Sequence, residues 1–357
     1  MLSIGIVGLP NVGKSTLFNA LTRSKQAEAQ NYPFCTIEPN VGIVEVPDER
    51  LSALSDSSKS LKIIPTAIKF VDIAGLVEGA SKGEGLGNKF LSHIREVDAI
   101  VHVVRSFADS NVTHVDSEAN PKKDAQVINT ELILADWQVV QKRLEATKKQ
   151  LKSSNAKELI SNLALLEKIN TTLEADQPAR SLEYNEEEQV ILKELQLITL
   201  KPMVYIVNVS EDFKEEEKVV IENEIQHIYV SAKLEAELAE LGEEEALEYL
   251  KESGVSETGL DKLIRKGYEI LGLVTFFTSG VQETRAWTVK ENTFAPESAG
   301  VIHTDFIKGF IKADVVGWQD FVDNGGWNDI KSTGKMRLAG KDYEVQDGDV
   351  IYFHVNT

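Results

Sequence analysis

The chain contains a single cysteine, Cys35, among its 357 residues. One thiol excludes an internal disulfide and leaves too few sulfur ligands for a cysteine metal cluster. Basic residues are also scarce, because 38 lysines and arginines stand against 57 aspartates and glutamates, for a formal net charge of −19. This charge argues against non-specific binding to polyphosphate surfaces. Any contact with RNA therefore requires a local basic patch, and DNA is not an expected partner.

Long apolar runs are absent too. No stretch reaches the roughly 18 apolar residues that a membrane span requires, and the chain starts on a strand-like run rather than on a signal peptide. We therefore expect a cytoplasmic protein that has no membrane contact. The length suffices for two or three domains, and nothing in the sequence demands more than a monomer.

The most informative segment that is present is 8–15, which reads G-L-P-N-V-G-K-S and is a complete phosphate-loop motif. An apolar run precedes it and a helix-forming run follows it, which is the context that this motif requires. Its glycines let backbone N–H groups surround a phosphate, and the helix N-terminus adds partial positive charge. Lys14 is predicted to reach the β- and γ-phosphates and Ser15 to ligate Mg²⁺. The predicted nucleotide contacts in this segment are Asn11, Val12, Gly13, Lys14, Ser15 and Thr16.

Strand-like runs separated by helical patterns predict a largely parallel α/β sheet flanked by helices. From about residue 124, apolar residues recur at helical spacing in three successive helices, and strand patterns resume at 202–207. The helical segment therefore interrupts one nucleotide-binding domain. We predict this domain at 1–125 and 201–276, a helical insertion at 126–200, and a small α+β domain at 277–357. Val190, Ile191, Leu195 and Ile198 indicate the last of the three helices, and the apolar stripes of these amphipathic helices are predicted to pack them together.

Asp72 ends an apolar run and begins D-I-A-G, a D-x-x-G switch motif. We predict that Asp72 holds the Mg²⁺ shell and that the Gly75 amide senses the γ-phosphate. Thr36, which lies between the two motifs, is the candidate switch threonine whose hydroxyl completes the Mg²⁺ coordination, although a merely solvated loop threonine is the alternative. The predicted metal ligands are thus Ser15, Thr36 and Asp72.

Leu76 follows the switch motif at the position where many small GTPases carry a glutamine that orients the attacking water. A leucine side chain cannot do this, so hydrolysis must be slow or must rely on a residue from elsewhere. His114 is the candidate internal substitute, since a neutral imidazole accepts a hydrogen bond from water near pH 7. The alternative is a solvated loop histidine. The predicted catalytic residues are Lys14, Gly75 and His114.

The base-recognition motif is altered. GTPases of this type carry N-K-x-D, whose aspartate accepts two hydrogen bonds from guanine, whereas this chain reads N-V-S-E at residues 208–211. The loss of a paired carboxylate in a site built for it costs several kcal/mol, and an amide can pair with adenine. The sequence therefore predicts an adenine site. Its predicted contacts are Asn208, Val209 and Glu211, with Ser231 and Ala232 from the S-A-K segment after the next strand.

Together these motifs resemble the YchF family of Obg-like ATPases, with N-Y-P-F-C-T-I-E-P-N at 31–40, D-I-A-G-L-V-E-G-A at 72–80 and V-Q-D-G-D-V at 345–350 extending the match. The resemblance implies a translation-factor-class P-loop domain, a coiled-coil insertion and a C-terminal TGS domain with a β-grasp fold. It also implies a preference for ATP, a hydrophobic residue in place of the catalytic glutamine, and association with ribosomes. The family's loop histidine falls on His114. Asn11 matches the phosphate-loop asparagine that helps bind an activating K⁺ in related GTPases.

Three functions remain open. The first is an ATPase switch, in which ATP and Mg²⁺ order the Thr36 and Gly75 regions and the appended domains report the nucleotide state. The second is a GTPase with the same fold. The third is a ribosome- or RNA-binding module that nucleotide only tunes. For this third function the candidate basic residues are Lys308, Lys312, Lys331, Lys335 and Arg337.

Overall fold

The computed structural model of this chain describes residues 2–24, 26, 40–73, 86–107, 120–152, 156–252 and 257–356. The chain divides into two compact units. The first is Met1–Ser24, Glu38–Gly42 and Lys69–Leu260, and the second is Lys25–Ile37, Ile43–Ile68 and Asp261–Thr357. Since the helical segment is grouped with the first unit, the three-domain division made from the sequence stays a prediction.

The described strands are β1 (Ser3–Val7), β2 (Val41–Glu45), β3 (Ile63–Ile64), β4 (Ala67–Asp72), β5 (Ala99–Arg105), β6 (Met203–Asn208), β7 (His227–Val230), β8 (Leu273–Ser279), β9 (Thr284–Lys290), β10 (Phe310–Gly317), β11 (Arg337–Ala339) and β12 (Asp349–Val355). The described α-helices are α1 (Lys14–Ser24), α2 (Arg50–Ser58), α3 (Leu86–Glu96), α4 (Pro121–Leu151), α5 (Lys157–Glu174), α6 (Glu186–Leu195), α7 (Ala232–Leu238), α8 (Glu243–Glu252), α9 (Gly259–Ile270), α10 (Ala295–Ile302), α11 (Asp305–Gly309), α12 (Trp318–Asp323) and α13 (Trp327–Ile330). None of them combines the length and apolar character needed to cross a membrane.

The first sheet has six strands in the order β2-β4-β1-β5-β6-β7. The pairs β1–β4, β1–β5, β5–β6 and β6–β7 are parallel, which confirms the predicted α/β architecture. Strands β1, β5 and β6 are buried along their whole length, as expected for strands covered on both faces. Because these strands are parallel, their carboxyl ends lie at one edge of the sheet, where ligands of such folds bind.

The helical segment packs through apolar stripes on α4, α5 and α6, as the periodicity predicts. Its buried cluster comprises Ile133, Val140, Leu165, Leu166, Ile169, Leu173, Ala179, Leu192, Leu195 and Leu197. Val190 was expected in the third stripe but is 63% exposed, because Leu192 and Leu195 form the buried face of this short helix. A buried carboxylate, Asp136 of α4, accepts hydrogen bonds from the backbone N–H groups of Ile198 (2.9 Å) and Thr199 (2.7 Å) and anchors the return to β6.

A ladder of three aromatic rings lies on three neighbouring strands of the first sheet. His102, Tyr205 and His227 are register neighbours on β5, β6 and β7, with ring centroids 5.1 and 5.4 Å apart. The Tyr205 hydroxyl donates to the Glu222 carboxylate (2.7 Å) and accepts from the Asn129 amide of α4 (2.8 Å). The ladder therefore ties the sheet to the helical segment. Within the described part of the chain, both ring nitrogens of His102 are buried without a hydrogen-bond partner.

The second sheet lies in the second unit and has the order β11-β10-β12-β8-β9-β3. It is mixed, because β12–β8 and β3–β9 are parallel while β10–β11, β10–β12 and β8–β9 are antiparallel. One apolar cluster includes Ala295 and Ala299 of α10, and a second includes Leu51 and Leu54 of α2. Helix α11 is short because β10 begins at Phe310, whose ring packs into the first of these clusters.

Candidate nucleotide-binding site

The phosphate-loop segment lies between β1 and α1, as its sequence predicts. Two positions in the loop have positive φ, Asn11 at 63° and Gly13 at 99°. At Gly13 a side chain is also excluded by space, because an added Cβ would overlap the amide nitrogen of Asn208. Gly13 is therefore required both by the backbone conformation of the loop and by the close approach of the Asn208 side chain.

Lys14 is the first residue of α1, and its side chain lies against the phosphate loop. The ammonium nitrogen donates to the Leu9 carbonyl oxygen (3.1 Å), and the residue is 8% exposed. Burial lowers the pKa of Lys14, and the nearby Asp72 carboxylate opposes this shift. A cation held in this way is positioned to meet phosphate oxygens where the loop presents its N–H groups.

Asp72 is the last residue of β4 and lies beside the start of α1. One carboxylate oxygen accepts a hydrogen bond from the Ser15 hydroxyl (3.3 Å). The other is buried and has no hydrogen-bond partner among the described residues. Burial raises the pKa of Asp72, while Lys14 and Ser15 oppose that shift. Mg²⁺ is held in such sites by one or two protein oxygens together with phosphate and water. An unpartnered carboxylate oxygen next to a hydroxyl fits that ion.

Asn208, the last residue of β6, links the phosphate loop to the segment after β7. Its amide nitrogen donates to the Val12 carbonyl (2.9 Å), and its amide oxygen accepts from the Ala232 N–H (3.0 Å). The side chain is buried, with 4% exposure. These distances show that Asn208 links the two segments. The predicted contact between Asn208 and adenine would have to form in addition to these two hydrogen bonds, and it stays a prediction.

A cavity of about 690 Å³ opens beside this link. It is lined by Asn11, Gly13, Thr16, Arg105, Phe107, residues 208–212 and residues 231–233. Eight residues predicted to bind nucleotide therefore border one cavity, while Val12, Lys14 and Ser15 lie in the adjoining loop and helix. Whether each contacts nucleotide stays a prediction.

Arg105 and Phe107 line the same cavity and were missed by the sequence reasoning. Arg105 ends β5 and is 2% exposed. Its guanidinium lies 4.6 Å from the centroid of the Phe107 ring and donates to the Phe107 carbonyl oxygen (3.0 Å). The available signal was positional, because β5 is parallel to β1 and β6 and its carboxyl end must reach the same edge.

Several predicted site residues lie outside the described residues. They are Thr36, Gly75 and His114, together with Leu76 and Cys35. Their assigned roles stay predictions. In the described part of the chain, no group of three or more His, Cys, Asp or Glu side chains could hold a metal ion.

The five basic residues considered for RNA binding do not act as a set of free cations. The ammonium group of Lys335 pairs with Asp320, and the guanidinium of Arg337 lies 4.0 Å from Asp349. Lys308 lies on α11 and Lys312 on β10. Lys308, Lys312 and Lys331 therefore remain the candidates for a basic surface.

Comparison with known proteins identifies two family models and several relatives that match nearly the full length of this chain. Residues 3–142 match the family model for 50S ribosome-binding GTPases, and residues 273–356 match the YchF-GTPase_C model, a domain described as of unknown function. The ribosome-binding ATPase YchF of Bacillus subtilis is 53% identical, with 99% of each chain covered. The protein of the same name from Haemophilus influenzae is 50% identical, covering 99% of this chain and 98% of the relative.

One solved structure is also similar over its full length. The YchF GTPase of Schizosaccharomyces pombe superposes with a TM-score of 0.88 at 38% sequence identity. The match covers 99% of this chain and 97% of that one. The names of these relatives disagree on the nucleotide, since the bacterial proteins are called ATPases and the yeast protein a GTPase. The choice between ATP and GTP must therefore be judged from the residues that line the cavity in this chain.

Proposed function

This chain belongs to the YchF family, and from that premise we propose that it binds ATP and slowly hydrolyses it to ADP and phosphate. The protein acts as a nucleotide-dependent switch that associates with the ribosome in the cytoplasm. The observation that carries the choice of ATP is the N-V-S-E segment at the end of β6. This segment borders the cavity and places Val209 where guanine-specific sites have a lysine.

Catalysis in this proposal consists of positioning and charge neutralisation. Lys14 and the loop N–H groups bind the phosphates. Ser15, Thr36 and Asp72 would hold Mg²⁺, which would neutralise charge on the phosphate oxygens. His114 orients the attacking water in place of the glutamine that Leu76 replaces, and Gly75 senses the γ-phosphate.

Two parts of the proposal concern partners. Asn11, held at positive φ, contributes to a K⁺ site, so replacing KCl with NaCl lowers turnover; unchanged turnover contradicts this part. The helical insertion (126–200) and the C-terminal domain (277–357) contact the ribosome and report the nucleotide state. Charge reversal of Lys308 and Lys312 should then reduce co-sedimentation with ribosomes, while the exposed Lys251→Glu should not.

The decisive experiment is a titration of purified, nucleotide-free protein with ATP and with GTP in Mg²⁺ buffer. A tenfold or greater preference for ATP, about 1.4 kcal/mol, supports the proposal. A preference for GTP supports the second candidate function, which the name of the yeast relative favours. Equal affinities contradict the argument from the base motif.

The catalytic role of His114 is tested separately. His114→Ala should abolish ATP turnover and leave ATP affinity near normal, because the imidazole acts on water rather than on the nucleotide. The control is His93→Ala, which removes an exposed histidine of α3. Surviving turnover in His114→Ala would show that another group orients the water.

A further inference from the structure

We call the 690 Å³ cavity beside Asn208 the base cavity, and the residues at its mouth its rim. An ion pair lies there, to which neither the sequence motifs nor the names of the relatives assign a role. The ammonium nitrogen of Lys233, on α7, lies 2.8 Å from a carboxylate oxygen of Glu211 and 3.8 Å from one of Glu237. Glu211 and Lys233 both line the cavity. They come from different segments, one after β6 and one after β7, so the pair joins the two segments that line the cavity on this side.

Glu211 occupies the fourth position of the base motif, where guanine-specific sites have their aspartate. A carboxylate reads guanine by accepting hydrogen bonds from N1–H and from the exocyclic amine, so it must turn its oxygens to the base. In this structure one carboxylate oxygen of Glu211 instead accepts a hydrogen bond from the Lys233 ammonium group (2.8 Å). This hydrogen bond also brings an ammonium group, a donor, to an edge where guanine presents donors and adenine presents the N1 acceptor.

The neighbouring acid does not replace Glu211. Asp212 also borders the cavity, and its carboxylate accepts a hydrogen bond from Ser210, which holds the pKa of Asp212 below its usual range. Both carboxylates that follow β6 therefore have partners within the rim. Neither is placed as an acceptor committed to a guanine base.

We propose that the Lys233–Glu211 ion pair is a specificity-determining element, which disfavours guanine by holding Glu211 in the rim of the base cavity. This inference rests on the proposed function, because it takes the cavity to be the site of the nucleotide base. The contribution is modest. The two side chains are 70% and 42% exposed, and exposed pairs change an affinity by about fivefold at most.

The test is a double-mutant cycle on Lys233→Met and Glu211→Gln, with ATP and GTP affinities measured for nucleotide-free protein. Lys233→Met keeps the aliphatic stem and removes the cation. It should lower the ATP-over-GTP preference about threefold to fivefold, mainly by improving GTP binding. In the Glu211→Gln background the same substitution should have no such effect, since no carboxylate remains to be released.

Lys251→Met, on the exposed face of α8, is the matched control and should leave both affinities unchanged. Lys233→Arg retains the cation and should restore the preference, which separates loss of the pair from damage to the fold. An unchanged nucleotide preference in Lys233→Met, or an equal change with and without Glu211, overturns the inference. The ATP-over-GTP preference of the wild-type protein tests the proposed function, whereas the change in that preference in the variants tests the role of the ion pair. Failure of one can therefore be distinguished from failure of the other.

Discussion

The candidate site has two halves that are built differently. The phosphate half comprises residues 8–16 and Asp72. Lys14 is buried, with 8% exposure, and Asp72 is partly buried, with one of its carboxylate oxygens enclosed. The base half comprises residues 208–212 and 231–233, and its charged pair of Glu211 and Lys233 is 42% and 70% exposed. Charges interact more strongly where water is excluded. The phosphate half is therefore expected to supply most of the affinity and the base half a smaller, tunable selectivity.

Asn208 is the exception within the base half, because it is buried and bonded to both halves. The comparison can be tested with a ligand that occupies only one half. Inorganic tripolyphosphate presents the charges of the nucleotide without a base, so its inhibition of ATP binding reports on the phosphate half alone.

The largest effect is expected from Gly13→Ala. Its φ of 99° is strained for alanine, and the new Cβ would overlap the Asn208 amide, so the loop must move. We expect ATP and tripolyphosphate affinities to fall together by about 100-fold, the scale of ~3 kcal/mol of backbone strain. The measurement is calorimetric titration with each ligand. Gly280→Ala, where a Cβ meets open space, is the control, and a loss confined to ATP would contradict the assignment of Gly13 to the phosphate half.

A smaller effect is expected from Asn208→Ala. The substitution leaves the Val12 carbonyl and the Ala232 N–H without their partner, at a cost of about 1–3 kcal/mol for each buried group that finds no other. Since the link orders both halves, ATP and GTP affinities should fall by a similar factor, about 10-fold to 30-fold. Nucleotide titration of Asn208→Ala and Asn208→Asp checks this. The aspartate keeps the acceptor for Ala232 and should recover part of the loss, whereas a selective loss of ATP would show instead that Asn208 reads adenine directly.

The third prediction concerns His102 on β5, the strand that supports both halves of the site. His102 is the register partner of Val7, which precedes the phosphate loop, and the same strand ends at Arg105, which lines the cavity. Burial, aided by the charges of Arg180 and Lys14, lowers the pKa of His102 to about 3. The folded-state pKa lies below the unfolded value of 6.5. The corresponding stability is thus present above pH 6.5 and is lost as the pH falls toward 3.

At pH 5 the loss attributable to His102 should be about 2 kcal/mol. Urea unfolding of wild type and His102→Phe at pH 7 and pH 5, followed by circular dichroism, measures it. The free energy of unfolding of the variant should fall less between the two pH values than that of wild type. His303→Phe, which replaces an exposed histidine, is the control substitution. Parallel losses in wild type and His102→Phe would mean that His102 is not the group that titrates.

Much of the fold and of the phosphate half was predictable from sequence, because both depend on local patterns. The strand–loop–helix of residues 3–24 and the buried strands of the first sheet follow from short apolar runs and from the placement of Gly13. Val190 shows the limit, since periodicity placed it in a stripe that the short α6 fills with Leu192 and Leu195. The sequence pattern also could not predict that Ile43–Ile68 groups with the second unit. Those residues join it by packing and pairing with strands more than 200 positions away, as Ile63 does with Thr284.

By itself, the sequence determined that this chain is a P-loop protein with an altered base motif, because the motif residues act through their own backbone and neighbours. Only the tertiary structure decided that Asn208 joins Val12 to Ala232, that Arg105 and Phe107 reach the cavity, and that Lys233 holds Glu211. The physical reason is the parallel register of β1, β5, β6 and β7. It brings the ends of distant segments to one edge of the sheet, where hydrogen bonds and charges interact over a few ångströms regardless of separation along the chain.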